Sequence, residues 1–128
     1  MQILCDSRSI QTALQTHGEL HQLISCYVER LSDGEGFELG NLVHFAVMHK
    51  SETVIELEAA LGFPVMTNRS NGARYGDPEF LPSWEAIEVH RYWYEIVYVL
   101  ADDGFGIVVF VDKNADAQLL QMLKHYAA

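Results

Sequence analysis

The segment YWYEIVYVLADDGFGIVVFVD, residues 92–112, leaves this chain few folds to choose from. Two runs of β-branched and aromatic residues flank Asp103-Gly104, a dipeptide suited to the positive φ angles of a tight hairpin turn. With those two residues as the turn, Leu100 faces Ile107, Tyr98 faces Val109 and Ile96 faces Val111 on one side. Val99 with Val108 and Val97 with Phe110 occupy the other. Both sides are apolar, so a sheet built on this hairpin must be covered on both faces.

The remaining segments supply the cover. Between Ser7 and Leu31, Ile10, Ala13, Leu14, His17, Leu20, Ile24, Tyr27, Val28 and Leu31 recur at spacings of three and four. That pattern predicts one long amphipathic helix, about 7–31, capped by Asp6 or Ser7 and weakened at Gly18, where glycine costs about 1 kcal/mol. LVHFAVMH reads as a strand at about 42–48. Ser51 then caps a short helix, 52–61, which Gly62 and Pro64 end. WEAIEVH gives a strand at about 84–90, preceding the hairpin strands at about 92–101 and 105–112. DAQLLQMLKHYA makes a final helix, 114–127, with Leu119, Met122, Leu123 and Tyr126 on its buried side. The expected architecture is a single α+β domain over 1–128, with a mostly antiparallel sheet of three to four strands and three helices. If all three helices share one face, a second copy of the chain is the natural cover for the other, so a homodimer is expected, the alternative being a monomer whose helices divide between the two faces.

Charge narrows the function. Eighteen acids against eight bases give a net charge of −10, scattered from Asp6 to Asp116. Direct binding to a nucleic-acid backbone is disfavoured, because it relies on lysine and arginine. A basic protein partner or a small cationic or aromatic ligand is favoured instead, and acids mimicking nucleic acid are a further version of that reading. Glu95 and Asp102-Asp103 interrupt the longest apolar run, so no membrane span is expected. Two cysteines and a start without a basic, apolar leader point to a reducing cytoplasm. In size and acidity the chain resembles the short accessory proteins carried by bacteria and their mobile elements, without sharing a motif with them.

The strongest metal-like pattern is HGELH, 17–21. Its order is His-Gly-Glu-Leu-His, whereas a zincin helix needs the glutamate beside the first histidine. Glu19 would project away from the face where His17 and His21 meet. His17 and His21 are therefore read as core or interface histidines and only weakly as ligands, and no metal or other cofactor is expected. His44 and His49 would point to opposite faces of a strand, and Cys26 is read as a buried, inert thiol. No glycine-rich phosphate loop is present, since the glycines around Phe105 belong to the hairpin.

Two surfaces remain. Nine of the fourteen aromatic residues fall between Tyr75 and Phe110. They are joined there by the long loop TNRSNGARYGDPEFLPS, 67–83, of a length often tied to function. Arg74, Tyr75, Asp77, Trp84, Tyr92 and Trp93 are the expected ligand or partner surface of a non-enzymatic binding domain. The rival is a small hydrolase or lyase in which His90 works with Glu88 and Glu95 as acid and base. In the assumed hairpin register Glu95 opposes Asp112, a repulsion relieved if Asp112 leaves the strand to cap the last helix or if a histidine, arginine or cation intervenes.

Overall fold

The structure, a computed structural model, describes residues 1–4, 6–16, 18–32, 43–62, 72–74, 77–80, 84, 86–100 and 105–127. The chain runs β1 (Gln2–Leu4), α1 (Ser7–Thr16), α2 (Gly18–Ser32), β2 (Val43–Met48), α3 (Val54–Leu61), β3 (Ala86–Val89), β4 (Trp93–Leu100), β5 (Phe105–Asp112) and α4 (Ala117–Ala127). The class is α+β, as expected, with two additions. A short strand, β1, joins the sheet, which has five strands in the order β1-β2-β5-β4-β3. The long N-terminal helix is two helices, divided beside the glycine that weakens it.

Three strand pairs are antiparallel, whereas β2 and β5 at the centre run parallel. Strands buried on both faces suit that pairing, and Phe45, Ala46, Val47, Met48 and Ile107 to Val111 are all buried. The hairpin register differs from expectation by two residues. The ladder closes at Leu100 opposite Phe105, and Ile96 faces Val109. A slip of two keeps every side chain on its expected face, so the hydrophobic pattern cannot detect it. Strand β3 covers 86–89 instead of 84–90.

The helices divide between the faces. On one, Ile10 and Ala13 of α1 and Leu20 and Ile24 of α2 pack on Leu4, Phe45, Val47, Val108 and Phe110. On the other, Val54 and Leu57 of α3 and Leu119, Leu120 and Leu123 of α4 pack on Ala46, Met48, Tyr94, Ile96, Val109 and Val111. The sheet is thus covered on both sides within one chain, without the second copy that a one-sided arrangement would call for. Among the described residues no helix is long and apolar enough to cross a membrane.

Helix starts are set by reciprocal hydrogen bonds. Asp6 accepts from the Ser9 amide at 2.7 Å, and the Ser9 backbone and side chain together hold the Asp6 carboxyl below its usual range. Thr53, not Ser51, caps α3: its Oγ1 accepts from the Glu56 amide while Glu56 accepts from the Thr53 amide. Ser51 has a valine three residues on and cannot form such a box. It takes a left-handed φ of 71° in the preceding turn instead. That turn brings Glu52 against the Met1 α-amino group and the His49 amide. Burial pushes the Glu52 carboxyl up, but these two donors outweigh it and leave the group below its ordinary value. The last helix begins at 117 instead of 114, because Asp116 accepts from the Gln118 and Leu119 amides while Asn114 turns back onto Asp112.

Candidate functional site

Strands β3 and β4 are joined through His90, Arg91 and Tyr92, with the His90 amide donating to the Trp93 carbonyl at 2.9 Å. Alternation along these strands puts Glu88 of β3, and His90 just beyond its end, on the same face as Trp93 and Glu95 of β4, toward α2. Glu88 and Glu95 are direct cross-strand partners. Like charges in such a pair repel, and His90 is what intervenes: its Nε2 lies 2.6 Å from Glu95 Oε2 and 3.9 Å from Glu88 Oε2. The repulsion anticipated at Glu95 is therefore real, but its partner is Glu88. Asp112 stays in the strand, opposite Trp93, and its Oδ1 accepts from the Asn114 amide.

Glu95 is only 5% exposed and is the one buried charged residue among those described. A carboxylate so placed needs donors, and it has two: His90 and the hydroxyl of Tyr27, which reaches across from α2. Tyr27 is fixed in turn by an edge-to-face contact with Phe45 at 5.8 Å. The three weak catalytic candidates of the sequence are thus brought together. Tyr27 was legible only as one of the apolar stripe.

Beside this cluster, at the sheet end where β4 begins and β5 stops, opens a cleft of about 630 Å³ lined by Gly18, Glu19, Leu20, Arg91, Tyr92, Trp93, Asp112, Lys113 and Asn114. Its walls mix charge and aromatic surface. The Arg91 guanidinium sits 4.9 Å from the Tyr92 ring centre, and Lys113 lies 5.4 Å from that of Tyr94. The Lys113 amide donates to the Tyr92 carbonyl, tying the two rims together. Glu19 belongs to the first turn of α2, where the helix dipole favours an acid, and its Oε2 is shielded with no hydrogen-bond partner among the described residues. Sequence reasoning named Tyr92 and Trp93 here but missed Arg91, Lys113 and Glu19. The correct register, which sets Trp93 opposite Asp112, is the signal that finds the first two.

The other expected surface residues lie elsewhere. Trp84 packs against the core on the α3 and α4 face. Arg74 forms an ion pair with Glu58 of α3 at 3.5 Å, and its amide donates to Asp77, which shapes the turn leading into buried Phe80. Tyr75 and His17 fall outside the described residues, as does the side chain of His44. His21 is half-buried on α2, which begins at Gly18. His49 stacks edge-on to Trp93 at 5.9 Å. Cys26, expected to be buried, is exposed. Compared with protein-family models, curated proteins and solved structures, the chain matches none of them.

Proposed function

We propose that the protein is a small-ligand-binding domain, without catalytic activity of its own, whose site is the cleft between the start of α2 and the Arg91-Tyr92 turn. The observation that carries this reading is composition against place. A chain with only eight basic residues sets two of them, Arg91 and Lys113, around one concavity that also holds Tyr92 and Trp93. Aromatic faces offer stacking area, and the paired cations with Glu19 and Asp112 offer complementary charge at fixed places. A flat molecule carrying an anionic group, with or without a cationic one, meets those demands. At 630 Å³ the cleft has the size typical of such sites.

Ligand-observed NMR of a library of flat carboxylates and zwitterions against the purified protein tests this. Binders should compete with one another and should be lost in Tyr92→Ser and in Lys113→Ala, at least tenfold each, while Arg74→Ala binds as the wild type does. Tyr92 is 54% exposed, so its replacement leaves the core intact. Binders that ignore both substitutions, or a library without any binder, refute the cleft.

A second reading, the acid-base hydrolase or lyase, is favoured by one observation, the convergence of His90 with Glu88 and Glu95. It ranks below the first because none of those three side chains lines the cleft.

A further inference from the structure

We infer that Glu88, His90 and Glu95 form a binding site for a divalent transition-metal ion, zinc above all. The inference stands apart from the cleft reading and does not need it. Three side chains from the β3–β4 hairpin each bring one ligand atom to a common point, and these atoms all lie within 4.8 Å of one another. One neutral imidazole and two carboxylates are a donor set that zinc accepts. Three protein ligands with a free fourth position is the arrangement of zinc sites that keep a water or a substrate.

The distances fit with small movements. Bonds of about 2.0–2.2 Å in a tetrahedron hold ligand atoms roughly 3.3–3.5 Å apart. The His90–Glu88 separation of 3.9 Å lies above that range and the His90–Glu95 contact of 2.6 Å below it. A slight retreat of the imidazole and a rotation of Glu88 satisfy both. Glu88 is free to rotate, its side chain being 66% exposed on an edge strand, and that exposure is also the way in from solvent.

The pieces around the ligands suit the role. A metal at His90 Nε2 needs the lone pair of that nitrogen, so the single proton of the neutral ring sits on Nδ1 when the ion is bound. Two carboxylates with one divalent ion leave the cluster neutral, where two carboxylates alone are repelled. Tyr27 donates to the other Glu95 oxygen and so aims the carboxylate, the service that second-sphere hydrogen bonds render to metal ligands. The protein's net charge of −10 raises the local concentration of cations for the site to capture.

Calorimetric titration of tag-free protein with zinc chloride at pH 7 tests the inference. Wild type should bind one ion, Glu88→Gln should bind at least tenfold more weakly and His90→Ala about a hundredfold more weakly, while His21→Ala should match the wild type. Glu88→Gln alters an exposed side chain, so it reports on the site even if His90→Ala fails to fold. Tyr27→Phe should weaken binding about tenfold without removing a ligand. Wild type that takes up no zinc, or Glu88→Gln and His90→Ala with wild-type affinity, overturns the site.

Discussion

Removing the Tyr27 hydroxyl isolates the price of keeping a carboxylate inside. In Tyr27→Phe the ring and its edge contact with Phe45 persist, while Glu95 loses one of two donors in a site where it is 5% exposed. Hydrogen bonds to charged groups contribute about 1.5–3 kcal/mol, and no water can replace the lost one without entering the helix–sheet interface. We expect a loss near 2 kcal/mol. An unfolding entropy of about 2.1 cal/mol/K per residue, taken over 128 residues, turns that into a fall in Tm of about 7 °C. Urea and thermal denaturation followed by circular dichroism measure it. A double-mutant cycle with Glu95→Gln then separates the pair from its surroundings, and coupling of at least 1 kcal/mol is expected. A Tyr27→Phe variant within 0.5 kcal/mol of wild type, or additive costs in the cycle, refutes the claim that Tyr27 sustains the buried charge.

Glu52→Gln should destabilise by about 1–2 kcal/mol at pH 7, because it removes the charge that the Met1 amino group and the His49 amide meet. Since the folded carboxyl is held below 4.5, that contribution is present above pH 4.5 and fades as pH falls through the depressed value. Urea midpoints of the two proteins should therefore converge as pH falls from 4.5 through the depressed value, and a gap that stays constant with pH would exclude the linkage. Thr53→Ala should cost about 1 kcal/mol by opening the capping box of α3, whereas Ser51→Ala should leave helix stability unchanged, and a reversed order in thermal melts would return the cap to Ser51.

Sequence made the hairpin faces legible because alternation survives any even slip. It could not choose between a two-residue and a four-residue connection, since Asp103-Gly104 is a good turn and both registers bury the same side chains. That single ambiguity hid much of the cleft, for Lys113 meets the Tyr92 turn only in the true register. The cluster was partly legible: Glu88 and His90 alternate onto one face, and the turn at Arg91-Tyr92 returns Glu95 to them. Tyr27 was not, because an α-helical tyrosine in an apolar stripe gives no sign that its hydroxyl meets a carboxylate sixty-eight residues away. Likewise, the division of the helices between two faces depends on the parallel β2–β5 pair, a contact without a local signature.

That central pair also orders events in time. Strands β3, β4 and β5 form a local meander whose turns are short, so its contacts need little chain entropy to be surrendered first. Joining β2 to β5 brings Val43 beside Gly106 and closes the whole intervening chain into one loop, an entropic cost met before the pairing returns anything. Until it closes, the inner edge of β5 is an open row of amides and carbonyls between Ile107 and Val111, the most apolar stretch of the sheet. An open β5 edge of that kind is where another copy's β5 would compete with the chain's own β2, so aggregation is expected under conditions that leave β2 undocked.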